Sequence, residues 1–434
     1  MKWWLGRLRH DCKTNPRSDH ESNCFLMRIL WIKSDFLHPT TRGGQIRTLE
    51  MLKRLHRRHE IHYVAFEDRA QPEGPARAAE YCARAYPVEA SIPPHGSPRF
   101  AAQLAAGLFS QAPVAVLRYR SRPMRRLVAQ LLAQESFDSV VCDFLAPALN
   151  IPDLEGCILF QHNVETLIWR RRLEQARDPL RRFYLRRQAQ RMFELERRVC
   201  RAARAVVAVS APDAQLMRTL FGVSRLWEVP TGVDVESFAP PPVSPPLADL
   251  VFVGSMDWLP NIDGVGYFVR EILPRIRRRR PDCTVAIAGR RPPAEIADLA
   301  RRDPRILVTG TVSDIRPYLW GAKVSVVPLR IGGGTRLKIY ESMAARVPVV
   351  STTVGAEGLE VKPGEDLLIA DTAGHFADRC MELLDDASQR RRLADGAWEL
   401  VASRFSWEQV ARQFERILEE AAVTAGAGRL GAVC

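Results

Sequence analysis

The chain reads as an α/β protein of two doubly wound, Rossmann-like domains facing across a cleft, and three observations predict this. Its 434 residues are too many for a single hydrophobic core. Short apolar runs alternate with helical patterns twice over, which implies a mostly parallel sheet covered on both faces in each half. Between the two series lies APPPVSPP at 239–246, a run that supports neither a helix interior nor a central strand.

In the first series the predicted strands are 28–33, 61–66, 139–142, 157–160 and 205–209, with a helix over 44–57. Tyr184, Gln188, Met192, Leu195 and Val199 recur at helical spacing and predict a long helix with one moderately apolar face. The second series has strands at 250–253, 284–288, 306–308, 324–327 and 347–351, followed by helices from about 372 to 421. The expected division is an N-terminal extension (1–27), an N-terminal domain (28–238), a linker (239–248) and a C-terminal domain (249–404). A helix over 405–421 and a frayed, small-residue tail (422–434) complete it. The extension is expected to be disordered, with Met27 as an alternative start; a basic, Trp-bearing membrane arm is the other reading.

A hydrophobic content of 46% and a charged content of 26% describe an ordinary globular protein. No apolar stretch approaches the ~20 residues needed to span a bilayer. Nine cysteines without a CxxC pair fit a reducing compartment, so a cytoplasmic location is expected, with peripheral attachment to the inner face of the plasma membrane as an extension of it. The net charge of +13 favours anionic partners. It is concentrated: residues 170–204 hold thirteen arginines against four acids, or 13 − 4 = +9. Such a segment is either a solvated charged face or a patch that rests on anionic lipid head groups or a lipid-phosphate acceptor. Nucleic acid is not an expected partner, because interleaved aromatics are few and no zinc, RRM or KH signature occurs.

The most informative run is GGGTRLKIYESMAARVPVVSTTVGAEGL at 332–359. Gly332, Gly333 and Gly334 lead through Thr335 into an amphipathic stretch carrying Arg336, Leu337, Lys338 and Glu341. A glycine-rich turn at a helix start points several backbone N–H groups at one place, with the helix dipole behind them. Arg336 and Lys338 add two cations where a lone helix would prefer acids. An anion between them, inferred to be a diphosphate, accounts for that choice.

The complete run resembles the C-terminal signature of retaining nucleotide-sugar glycosyltransferases of the two-domain GT-B fold, the group-one (family four) class. Within it the run is similar to the branch with G-G-G-T-R-L-K followed by Glu, as in bacterial polysaccharide biosynthesis. The resemblance spans roughly residues 28–420 and is looser in the N-terminal half. It implies transfer of a sugar, with retention, from a nucleotide-diphosphate donor to a hydroxyl acceptor such as a lipid-linked saccharide. An epimerase of the same fold, or a non-catalytic binder of sugar nucleotides or polyanions, are the alternatives. Arg336 and Lys338 would neutralise the leaving group, and Glu341 would accept hydrogen bonds from the ribose.

The chain departs from the wider class in two places. The first glutamate of the usual pair falls on Gly333, and the loop VGSMDWLPNID at 253–263 carries no cation. Gly254, Asp257 and Asn261 in that loop, with Gly289, Arg290 and Gly310 after later strands, are the further donor-side candidates. On the N-terminal side, Gly43, Gly44 and Arg47 are candidates for approaching the donor phosphate or the acceptor, although a tight turn without ligand explains the glycines equally well. The resemblance brings His162 to the transferred sugar, with Asn163 and Glu165 expected to fix its orientation. No D-x-D motif occurs, and His56, His59 and His62 run from a helix end into a strand, so neither a metal nor another cofactor is expected.

Overall fold

The computed structural model describes residues 27–40, 43–68, 71–89, 97–98, 110–174, 176, 178–256, 258–331 and 337–430, with side chains to 422. The extension 1–26 lies outside them, as do Asp257, Gly332, Gly333, Gly334, Thr335 and Arg336 among the predicted site residues.

Two parallel sheets form. The first comprises β1 (Arg28–Ile32), β2 (Glu60–Glu67), β3 (Arg84–Glu89), β4 (Ser139–Asp143), β5 (Cys157–Phe160), β6 (Ala205–Ala208) and β7 (Leu226–Glu228), in the order β3-β2-β1-β4-β5-β6-β7. The second comprises β8 (Ala248–Val253), β9 (Val285–Ala288), β10 (Ile306–Val308), β11 (Ala322–Val327), β12 (Val349–Ser351) and β13 (Leu368–Ile369), in the order β10-β9-β8-β11-β12-β13. Successive residues of a strand point to opposite faces. Leu30 and Ile32 of β1 enter one core while Ile29 and Trp31 enter the other, and Leu250 and Phe252 of β8 are separated from Val251 and Val253 in the same way. Burial on both faces is why these strands read as continuous apolar runs. In each sheet the order reverses once, between β1 and β4 and between β8 and β11. Open α/β sheets bind ligands at such reversals, beyond the C-terminal ends of the strands.

The helices that bear on the site are α1 (Gly43–Leu55), α2 (Glu165–Glu174), α3 (Pro179–Ala202), α4 (Ala211–Phe221), α5 (Leu259–Tyr267), α6 (Leu337–Ala344) and α7 (Trp407–Leu430). Local chemistry fixes their ends. Asp178 caps α3 by accepting from the Arg181 amide, with Pro179 at the first helical position. Ser210 caps α4, and Gly222 ends it in the left-handed region at φ 65°. Residues 239–247 contain no helix or strand.

The last helix crosses back to the first sheet. α7 packs on α1, and Phe414 meets the rings of Trp31 and Phe160 at centroid distances of 5.4 and 5.0 Å. Glu415 of α7 pairs with His59 Nε2 at 2.7 Å. At the crossing, Val233 bridges Ser406, and the Trp407 ring lies where a Cβ on Gly232 would come within 2.5 Å of it. α7 runs to Leu430, past the tail expected from 422.

Three strands were absent from the sequence reading: β3, β7 and β13, all at sheet edges. β12 is also shorter than expected. The Val347 amide bonds back to Ser342 O at the end of α6, and Pro348 offers its carbonyl but no N–H to the ladder.

Candidate active site

On the C-terminal side the loop after β8 and the first turn of α6 meet. Lys338 Nζ donates to Asn261 Oδ1 at 2.6 Å and stands 4.4 Å from the centroid of the Phe252 ring. The Asn261 amide nitrogen donates to Ser255 O at 2.7 Å, which fixes the side chain with its oxygen toward the lysine. Gly254 makes this possible: a Cβ there would come within 2.6 Å of Lys338 Nζ and 2.7 Å of Asn261 Nδ2. Gly289, following β9, is pressed closer still, because its Cβ would fall 1.8 Å from the Gly254 carbonyl oxygen. Arg290 Nε donates to Ser255 Oγ at 2.7 Å.

Gly254, Asn261, Gly289, Arg290 and Lys338 therefore form one cluster beside the reversal between β8 and β11. Leu337 opens α6, so its amide is among those at the helix N-terminus. Glu341 lies on the same helix, half-buried. Burial raises its carboxyl to about 7 against the opposing pull of Lys338. Gly310 follows the edge strand β10 in the left-handed region at φ 67°, with open space where its Cβ would stand. Whether Asp257, Arg336 and the 332–335 turn complete the cluster lies outside the described residues.

On the N-terminal side the buried carboxylate of Asp143 is the organising group. It ends β4 at the reversal next to β1. Its Oδ2 accepts from Lys33 Nζ (3.0 Å), Trp31 Nε1 (3.0 Å) and Thr48 Oγ1 (2.7 Å). Its Oδ1 is 2.7 Å from His162 Nε2. Burial alone would raise this carboxyl; Lys33 and His162 hold it well below the usual carboxylate range.

Arg47 NH1 sits 3.2 Å from His162 Nδ1. A guanidinium can only donate, so Nδ1 accepts and Nε2 carries the proton that goes to Asp143. Burial pushes His162 down to about 3 despite Asp143, which leaves a neutral imidazole of one tautomer. Burial likewise lowers Arg47 to about 10. The Phe144 ring covers the imidazole face, 3.9 Å away and 6° from parallel, on a backbone at φ 73°.

His162 is thus oriented by Asp143 and Arg47, not by Asn163 and Glu165 as expected. Gly44 is needed for packing: a Cβ there would come within 2.6 Å of the Phe144 ring. At Gly43 a Cβ would meet nothing within 4 Å.

Asn163 lies in the turn before α2 and Glu165 is the first residue of that helix, whose start is held by Glu196 of α3. One Glu196 oxygen accepts from Gln161 Nε2 (3.1 Å) and the Glu165 amide (2.9 Å). The other accepts from the Thr166 amide (2.7 Å) and Thr166 Oγ1 (2.6 Å). A carboxylate from a neighbouring helix thereby caps α2, next to the His162 turn. Burial raises it to about 7 even so.

Lys33, Asp143 and Glu196 were missed in the sequence. A charged residue at the end of an otherwise apolar strand, as in VVCD at 140–143 and ILWIK at 29–33, was the available signal for the first two. The three histidines at 56–62 do not converge: His59 pairs with Glu415, while His62 contacts Glu60 and Tyr86.

Two cavities adjoin these groups. A cleft of 630 Å³ runs between the halves, lined by His162, Asn163, Ile168, Arg171 and Asp213 on one side and by Tyr340 and residues 357–360 on the other. A pocket of 270 Å³ within the N-terminal half is lined by Lys33, Asp35, Gly44, Phe144, Glu165 and Met192.

With this geometry in place, similarity to known proteins becomes informative. Residues 41–237 match the family described as Glycosyltransferase Family 4, and residues 248–386 match Glycosyl transferases group 1. An uncharacterized 44.6 kDa protein in the cps region of Klebsiella pneumoniae is 22% identical over 40% of this chain and 45% of its own length. D-inositol 3-phosphate glycosyltransferase of Xylanimonas cellulosilytica is 30% identical over 50% of this chain and 57% of its own. The chain spans about half the length of these curated relatives. Among solved structures, HepE of Anabaena in complex with UDP superposes with a TM-score of 0.60 at 13% identity, covering 91% of this chain and 100% of that one. The two parallel-sheet domains have the GT-B fold, and over the residues given each half is similar to a glycosyltransferase family.

Proposed function

We propose that the protein transfers a sugar, with retention of anomeric configuration, from a nucleotide-diphosphate donor to a hydroxyl of a lipid-linked saccharide in cell-surface polysaccharide assembly. The observation that carries this is Lys338. Its ammonium is held by Asn261 above Gly254, at the N-terminus of α6 and beside the strand reversal of the second sheet. A fixed cation and helix amides aimed at one place suit a diphosphate, whose charge grows as the glycosidic bond breaks. Stabilisation that grows with that charge lowers the barrier rather than merely tightening binding. Arg336, two residues earlier, is proposed to share this role, and Glu341 to accept from the ribose hydroxyls.

His162 faces the cleft from the other half as a neutral ring whose two nitrogens are engaged by Asp143 and Arg47. Its proposed role is to shape and polarise the sugar subsite; closing of the cleft over the donor would exclude water. The solved complex of HepE with UDP, on the same fold, supports a nucleotide-bearing donor. The match to D-inositol 3-phosphate glycosyltransferase supports a hydroxyl acceptor.

The test is release of nucleotide diphosphate from a panel of sugar nucleotides in the presence of polyprenyl-phosphate-linked saccharides, with the anomer of the product read by NMR. Release that depends on the acceptor and falls about a hundredfold or more in Lys338→Ala is expected. Equal turnover in the variant, or an epimerised sugar nucleotide as product, would refute the reading.

A further inference from the structure

We infer that the N-terminal end of α3 is a membrane-docking edge that inserts Leu180 and Phe183 into an anionic lipid surface. Leu180 is 81% exposed and Phe183 63% exposed, whereas α3 buries Leu185, Ala189, Met192 and Leu195 on its opposite side. Leu180, Phe183 and Arg187 stand at i, i+3 and i+7, one stripe facing away from the core. Large apolar side chains so exposed on a first helical turn lose hydration cost by entering an acyl boundary.

Charge selects the occupant. Arg181, Arg182, Arg186 and Arg187 surround the two apolar residues and are all exposed. No acid occurs between 179 and 193. Asp178, the nearest, is occupied in capping the helix. The Arg187 guanidinium lies 5.9 Å from the Phe183 ring centroid, so cation and ring present one amphipathic edge. A protein partner would bring its own acids to these arginines; a lipid leaflet brings negative charge above and apolar chains below in the required order.

The edge also has a useful position. α2 and α3 pack side by side, and Arg171 of α2 lines the 630 Å³ cleft. A bilayer seated on α3 would therefore lie near the cleft mouth, where a lipid-linked acceptor could enter without leaving the membrane. This last step rests on the proposed function; the docking itself does not.

Sedimentation with vesicles of phosphatidylcholine, with and without 30 mol% phosphatidylglycerol (about one lipid in three, a fraction chosen to give a clearly negative surface), tests it. Binding to the anionic vesicles only, weakened about tenfold or more in Leu180→Ser/Phe183→Ser, is expected. Substituting Arg181, Arg182, Arg186 and Arg187 by Gln should abolish it. Nucleotide binding should be unchanged in both variants, so failure here is distinguishable from failure of the glycosyl-transfer reading. Absence of binding to anionic vesicles, or binding indifferent to the Leu180 and Phe183 changes, would overturn the inference. Self-association that disappears in the serine variant would instead assign the edge to a second copy of the chain.

Discussion

At the scale of single residues, protonation states decide what the site can do. Glu341 has a folded pKa of about 7, raised by burial above its ordinary 4.5. The sign comes from linkage: a raised carboxyl favours the folded state below its unfolded pKa, and that advantage is lost as pH rises through about 7. Glu341→Gln, which stays neutral, should therefore match the wild type in urea unfolding near pH 4.5 and become the more stable of the two above pH 7. Identical pH profiles would show that the carboxyl is not buried as described. His162 behaves oppositely. Lowered to about 3 by burial, it should keep its Nε2–H tautomer and show no titration between pH 5 and 8 in ¹⁵N NMR spectra. A midpoint near the ordinary histidine value, ~6.5, would mean the ring is solvated.

Asp143 carries more of the stability than either. Four donors converge on it, Lys33 among them, and lysine and aspartate are both almost fully buried. Asp143→Ala should cost about 3–5 kcal/mol, because it strands a buried ammonium. Unfolding free energies unchanged by the substitution would mean that the lysine escapes to solvent. Sequence reading found His162 but not the carboxylate that orients it. The reason is physical: Lys33 and Asp143 lie 110 positions apart, and only the pairing of β1 with β4 brings them together.

At the scale of elements, close backbone approach and helix capping fix the site. A Cβ on Gly254 meets side-chain atoms of Lys338 and Asn261, whereas one on Gly289 meets the backbone carbonyl of Gly254. Gly254→Ala should therefore impair nucleotide binding with little loss of stability, and Gly289→Ala should destabilise the C-terminal domain itself. The reverse ranking in thermal melts would contradict this packing. Glu196→Ala should release the first turn of α2, leaving buried amides unpaired at about 1–3 kcal/mol each, while Glu196→Gln should retain part of the cap. Faster amide exchange at residues 165 and 166 in the alanine variant is the readout.

Most elements were legible because central parallel strands are apolar throughout, and the spacing of Tyr184 to Val199 announced α3. Of the four edge strands only β10 was legible; β3, β7 and β13 were not. RAYPVE in β3 buries only Val88, and β7 and β13 have three and two residues, too few to show a pattern. The Glu196 cap was illegible for another reason, since a glutamate on an arginine-rich helix reads as surface charge.

At the scale of the whole molecule, each of two parallel sheets reverses its strand order once, and a cleft lined by both halves lies between them. A helix from the C-terminal end of the chain, α7, is bonded into the N-terminal core through Phe414 and Glu415. The neutral imidazole of His162 lines the cleft from the N-terminal half, and the Lys338 ammonium is held by Asn261 in the C-terminal half. Lys338 was legible because it lies in the glycine-rich run at 332–338, a pattern that is local in sequence. The cluster around Asp143 and His162, assembled from β1, β4, α1 and the turn after β5, was not.

Lys338 and its surroundings are proposed to hold a nucleotide diphosphate. The most direct measurement is a thermal-shift panel with UDP, GDP, ADP and TDP, without divalent metal, on the wild type and on Lys338→Ala. A ligand at a hundred times its Kd should add about 2.7 kcal/mol of stability. Stabilisation by one nucleotide series, lost in the variant, is the predicted result and would name the base. Stabilisation that survives Lys338→Ala unchanged, or none from any nucleotide, would contradict it.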